Sequence, residues 1–180
     1  GGSFGPHRRV DRPQGGDEIV RSALVYGDNI NTDLVIAGKY TKTLNFQELA
    51  EHCMEDLDPL FSQRVKPGDV LVAGRNFGCG SSREQAPLAL KYSGISAVLA
   101  QSFARIFYRN AINVGVPALI CDTTSIRDGD EIEVDMAHGI VTINKTRKIK
   151  CQALSPIMRS ILSAGGLVPF LKEKGDFVLE

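Results

Sequence analysis

The sequence predicts an α/β domain, a sandwich built around a mixed, partly parallel sheet and flanked by helices. Three observations carry this expectation. Strand and helix signals alternate along residues 19–121, the order that builds parallel strands through helical crossovers. Four short strand signals joined by tight turns then crowd residues 118–152, as hairpins require. The 180 residues, 43% of them apolar, suit one domain of ordinary size with a buried core.

Taken in order, residues 19–26 are rich in β-branched and apolar side chains and predict a strand, ended by the turn composition Gly27-Asp28-Asn29. Residues 29–42 read as a structured loop with a short extended piece at 34–37. A helix is expected to begin at Asn45, because Phe46, Leu49, Ala50, Cys53 and Met54 share one face and Glu48 stands at capping-box spacing. Asp58-Pro59 and Lys66-Pro67-Gly68 punctuate a loop before a strand at 69–73, which Gly74 stops. Ser81 and Glu84 then have capping-box spacing ahead of a helix with Ala86, Ala89 and Leu90 on one side, its Pro87 tolerable within the first turn.

A buried strand at 95–100 leads to Ser102, a candidate cap for a helix at 103–114 with Phe103, Ile106, Phe107 and Ala111 on one face; Gly115 and Pro117 end it. Strands are expected at 118–121, 131–135, 140–143 and 148–152. A last helix spans 156–164 and is capped by Gly165-Gly166. Residues 1–18, rich in Gly, Pro and Arg, read as a flexible leader or a processing or cloning remnant, 19–175 as the domain and 176–180 as a tail.

Composition narrows the function. Lys plus Arg and Asp plus Glu each number 21, and aromatic residues make up 7% with no Trp, so neither a polyanion-seeking field nor a base-stacking surface is expected. No apolar run approaches the roughly 18 residues that span a bilayer. The cysteines, Cys53, Cys79, Cys121 and Cys151, form no Cys-x-x-Cys pair, and His7, His52 and His138 lack metal-binding spacing, so no metal site is expected from this chain alone. A reducing compartment follows, the cytoplasm, or an organelle matrix or stroma if the leader is a transit remnant.

The chemistry concentrates in Gly74-Arg75-Asn76-Phe77-Gly78-Cys79-Gly80-Ser81-Ser82-Arg83-Glu84. Gly78, Cys79 and Gly80 form a turn in which the glycines allow positive φ and close backbone approach to a ligand, and the helix that follows favours an anion. Arg83 offers a planar fork for a carboxylate, while Ser81 and Ser82 offer hydroxyls that donate hydrogen bonds or, deprotonated, accept a proton. The P-loop and dinucleotide-binding patterns both fail, since no Lys precedes the serines and position 83 is Arg rather than Gly. A plainer reading stays open at this point: a tight glycine turn, two capping serines and a solvated arginine. Cys79 as a nucleophile is disfavoured, since no His stands near it in sequence.

Three ordered motifs, Gly27-Asp28-Asn29-Ile30-Asn31-Thr32-Asp33, Asn76 through Glu84 with Ala86-Pro87, and Ser102-Phe103-Ala104-Arg105-Ile106-Phe107-Tyr108-Arg109-Asn110, resemble those of the small subunits of 3-isopropylmalate dehydratase and homoaconitase, in the aconitase superfamily. The resemblance implies a swivelling β/β/α domain and a large partner subunit that carries a 4Fe-4S cluster. It also implies a hydro-lyase that isomerises a small hydroxy-di- or tricarboxylate by dehydration and rehydration. Carried over by position, Ser81 is the general base, Ser82 stabilises developing oxyanion character and Arg83 grips a substrate carboxylate.

Two departures stand out. Gln85 replaces the usual His, and residues 31–38 read Asn-Thr-Asp-Leu-Val-Ile-Ala-Gly where Asp-Thr-Asp-Gln-Ile-Ile-Pro-Ala is common. The substrate-facing loop of the family corresponds to Tyr40-Thr41-Lys42-Thr43, so Tyr40 and Lys42 are expected near the substrate's variable group. Isopropylmalate is the first expectation. Lys42 suits an additional carboxylate and keeps a homoaconitase or methylmalate-type dehydratase in view, alongside a non-catalytic anion-binding module or a lysine that simply points to solvent.

Overall fold

A computed structural model describes residues 21–175; the expected leader, the first two residues of the expected first strand and the expected tail lie outside them. The strands divide into two sheets. β1 (Ala23–Val25), β2 (Val70–Val72), β3 (Ala97–Ala100) and β4 (Ala118–Ile120) form a four-stranded parallel sheet in that order. β5 (Ile132–Asp135), β6 (Ile140–Ile143) and β7 (Arg147–Lys150) form a three-stranded antiparallel sheet. The α/β expectation therefore holds, with the parallel strands and the hairpins on separate sheets.

The parallel strands are short and apolar, and Leu71, Val98, Leu99 and Leu119 are fully buried, as strands covered on both faces must be. Each crossover steps one place in the same direction, so right-handed connections set their helices on one face. In keeping with this, α2 (Phe46–His52) packs on α4 (Gln85–Ser93), and α4 packs on α5 (Arg105–Asn113). The shorter α1 (Thr32–Val35) and α3 (Phe61–Arg64) lie in the first crossover; α6 (Pro156–Ala164) and α7 (Leu167–Lys174) close the described chain and pack against α5.

Several local expectations are corrected, each by a tertiary or capping bond that pattern alone does not reveal. The extended piece at 34–37 is half helical: Asn31 Oδ1 accepts from Leu34 N and starts α1, which takes in Leu34 and Val35 and leaves Ile36 and Ala37 extended as expected. The Asn45 cap forms as expected, accepting from Glu48 N, but Thr43 completes it, accepting from Asn45 N while bonding the Glu48 carboxylate. Phe46, expected on the buried face, is exposed and stacks on Tyr92 at 4.2 Å. Ser81 caps nothing, because α4 starts four residues later, at Gln85, with no side-chain cap.

Ser102 likewise does not cap α5. Its hydroxyl accepts from Asn76 N at 2.7 Å, and the helix starts at Arg105, which turns Ile106 outward. α3 falls within an expected loop, and β7 starts one residue early and ends two early. α7 arises where only a cap was expected: Gly165 ends α6 at φ 94°, and Gly166 opens the next helix.

Lys91 ties the helical layer together. Its ammonium donates to Val114 O at the end of α5 and to Gly165 O at the end of α6, where two helix C-termini place partial negative charge. Among the described residues no helix is long and apolar enough to cross a membrane.

Candidate active site

The three motifs lie apart in sequence and meet at the carboxyl edge of the parallel sheet, the usual place for a ligand in such folds. Beyond β1 and β2 the chains continue side by side. Asn29 N donates to Arg75 O, Gly78 N to Ile30 O and Thr32 N to Cys79 O, at 2.8–2.9 Å. The third motif joins from the other side, with Phe77 N donating to Ser102 O and Ala104 N to Phe77 O. Phe77 packs edge-on against Phe103 and Phe107, so an aromatic cluster fixes the floor under the glycine turn.

Gly78 must be glycine. Its φ is 83°, and a Cβ there would stand 2.2 Å from Phe107 Cγ. Gly80 also has positive φ, but a Cβ there would make only ordinary contact, the nearest atom, Asn31 Cβ, lying 3.5 Å away. The turn delivers Ser81 and Ser82 to the surface, both exposed, with Ser81 O anchored by Thr32 Oγ1 at 2.8 Å. No hydrogen bond within the described residues engages either serine hydroxyl.

Arg83 is not a solvated side chain. It is 22% exposed, and its buried Nη1 makes an ionic contact with Asp33 Oδ1. Its guanidinium also lies over Gly38, at the start of the turn that carries Tyr40. These positions remove the plainer reading of the motif, since the serines do not cap and the arginine is largely enclosed.

Thr32, Gly78, Gly80, Ser81, Ser82 and Arg83 line a cavity of about 260 Å³, closed on its other side by residues 104–107. Five of the sequence-expected residues thus converge: Gly78, Gly80, Ser81, Ser82 and Arg83. Cys79 is half-buried in the same turn without lining the cavity. Tyr40 and Lys42 do not line it either. Tyr40 stacks on His52 at 4.2 Å, with Lys39 over its ring, and Lys42 is exposed on the following turn. Thr32, Asp33, Arg105 and Ile106 were not singled out as site residues, although all four stand within the quoted motifs. What no motif shows is the pairing across some fifty residues that sets Asp33 against Arg83.

Among the described residues no group of three or more His, Cys, Asp or Glu side chains is placed to hold a metal ion. Burial pushes the Cys53 thiol far up and the Cys121 thiol up to about 12, so both are weak ligands at neutral pH. The described residues therefore offer no grouped thiols that fit an iron–sulfur cluster.

A parallel sheet whose carboxyl edge carries a Gly-x-Gly-Ser-Ser-Arg turn defines the class. Residues 22–123 match the aconitase C-terminal domain family, and the chain belongs to that family. More particularly, it is 54% identical to a 3-isopropylmalate dehydratase small subunit 2 of Archaeoglobus fulgidus, over 88% of this chain and 98% of that one. It is 55% identical to a methanogen homoaconitase small subunit of Methanocaldococcus jannaschii, over 83% and 88% of the two chains. The crystal structure of a 3-isopropylmalate dehydratase from Methanocaldococcus jannaschii matches with a TM-score of 0.82 at 52% identity, covering 87% of this chain and 95% of that one. The resemblance drawn from the three motifs is borne out, and so is the fold it implied.

Proposed function

We propose that this chain is the small subunit of a hydro-lyase that interconverts 2- and 3-isopropylmalate by dehydration and rehydration, a step of leucine biosynthesis, and that it supplies the base and a carboxylate anchor. The observation that carries the reading is the convergence of Ser81, Ser82 and Arg83 on one cavity, with both serine hydroxyls free of capping and the arginine held in place.

In this reading Arg83, held by Asp33 and lining the cavity, binds and orients a substrate carboxylate. Ser82 donates its hydroxyl toward the oxygen on which charge develops. Ser81 takes the proton from the carbon next to the departing hydroxyl and returns one on rehydration. A serine hydroxyl is a poor base in water; the Arg83 and Arg105 guanidiniums on the same cavity favour its anionic form. The 4Fe-4S cluster implied by the family resemblance belongs to a large subunit, where it would activate the leaving hydroxyl.

Co-expression with a large aconitase-type subunit tests the reading directly. The two chains are expected to co-purify and to show hydratase activity together. Ser81→Ala should abolish turnover while leaving assembly intact, because Ser81 is exposed and packs nothing. A complex of Ser81→Ala with full activity would overturn the base assignment. Capture of a carboxylate without turnover in any complex would favour the binding-only module.

A homoaconitase role is the second reading. It is favoured by Lys42, exposed on the turn beyond the Gly38 backbone that Arg83 covers, and by the 55% identity to the homoaconitase relative. Across a substrate panel, Lys42→Leu should lower turnover of a tricarboxylate and spare isopropylmalate. Equal effects on both would remove Tyr40 and Lys42 from the substrate loop.

A further inference from the structure

Away from the serine turn, two cysteines face each other where the two sheets meet. Cys121 follows β4, Cys151 follows β7, and the two are partners in an isolated antiparallel bridge. Gln152 N donates to Ile120 O at 2.9 Å, so the ladder bond flanks the pair instead of joining it. This is the pattern of a non-hydrogen-bonded pair, in which facing Cα atoms stand about 4.5 Å apart and their side chains share one face. A disulfide spans Cα separations of about 4.4–6.8 Å. Both residues are free thiols, and both line one surface cavity of about 520 Å³ with Gln101, Asp122 and Lys150.

We propose that Cys121 and Cys151 form a dithiol modification site that closes to an intramolecular disulfide by exchange with a low-molecular-weight disulfide such as oxidised glutathione. Cys151, half-buried, is the more accessible, whereas Cys121 is 7% exposed. The Cys151 thiolate attacks one glutathione sulfur, forms a mixed disulfide and releases a glutathione thiolate. The Cys121 thiolate then attacks the Cys151 sulfur and releases the second glutathione. Two protein thiols are oxidised, one glutathione disulfide is reduced to two thiols, and the protein's two protons end on the glutathione sulfurs. Burial raises both protein thiols, so closure is slow at neutral pH and accelerates as the solution becomes alkaline.

Geometry also sets what the bond would do. It rings residues 121–151, which contain the whole antiparallel sheet, and fastens that sheet to the end of β4. Gln101, which lines the same cavity, accepts from Arg75 Nε and immediately precedes the Ser102 that holds Asn76, so the link closes beside the catalytic edge.

The test exposes the reduced full-length chain to oxidised glutathione and reads intact mass and a peptide map. The expected product is lighter by about 2 Da, the two lost hydrogens, with the peptides of Cys121 and Cys151 joined. Its melting temperature should rise by roughly 5–10 °C and return on adding dithiothreitol, since the ring restricts the unfolded chain. Cys151→Ser should abolish both changes. The same chain treated in urea should lose the pairing preference, because the fold selects it. Glutathione adducts without the loss of two hydrogens, a bond involving Cys53 or Cys79, or an unchanged or lowered melting temperature in the joined product would each overturn the proposal.

Discussion

Gly78 is constrained twice, by a backbone angle that L side chains rarely adopt and by contact with Phe107. Gly78→Ala is expected to cost about 2–4 kcal/mol, from left-handed strain plus overpacking against a ring that the aromatic cluster holds in place. Gly80→Ala meets only the first constraint and should cost about 1–2 kcal/mol. Urea denaturation of the two variants checks the order; equal losses would mean that Phe107 yields. At this scale the glycine–serine–arginine run was legible because it packs so many special residue types into seven positions. The capping role of Ser81 was misread for an equally local reason. Its spacing to Glu84 is that of a capping box, but Thr32, forty-nine positions away, holds the Ser81 carbonyl in a turn ahead of the helix. The role of Asp33 is not legible in the sequence, because its partner is fifty positions away and a single acidic residue in a loop announces nothing by itself.

Elements with strong local punctuation were read well, and those that depend on a partner were not. α6 matches its expected span because Ser155 accepts from Met158 N, Pro156 opens the first turn and Gly165 ends the last. α7 was not expected because Gly165-Gly166 reads as the cap that ends the last helix. In the fold Gly166 is its N-cap, and Pro169 falls in the first turn, where its missing N–H costs nothing. The join between α5 and α6 yields a prediction of its own. Gly115 and Gly166 let the two helix ends approach backbone to backbone, and a Cβ at Gly115 would stand 2.5 Å from Gly165 O. Lys91 supplies the positive charge that two converging carbonyls require. Lys91→Met keeps the stem and removes the ammonium, and should cost about 1.5–3 kcal/mol, the worth of charge-assisted bonds in a partly buried place. A midpoint within error of the wild type would show that water replaces the ammonium.

Across the whole molecule, two buried thiols and a half-buried phenol tie stability to alkaline pH. Burial, with a hydrogen bond to Asp58 at 2.7 Å, raises the Tyr26 phenol; burial also raises the Cys53 thiol, and the Cys121 thiol to about 12. In each case the folded state holds its proton more tightly than the unfolded chain. Their contribution is therefore complete below the ordinary thiol value of about 8.5 and is lost progressively above it, with tyrosine joining above about 10. Denaturation midpoints should fall between about pH 9 and about pH 11.5, and Tyr26→Phe should flatten the upper part of the fall. A flat profile would show that these groups ionise without unfolding. The alternation of strands and helices made the parallel sheet legible at this scale. The division into two sheets was not, because the sheets join only through isolated pairings between distant residues, Cys121 with Cys151 and Ser22 with Glu131 among the described residues.

Both serines stand at the surface of the sheet edge. On the proposed assignment the base lies on one polypeptide and the group that activates the leaving hydroxyl on another, so neither chain alone encloses the substrate. Turnover then obeys mass action between subunits. On that assignment flux follows the ratio in which the two chains are made.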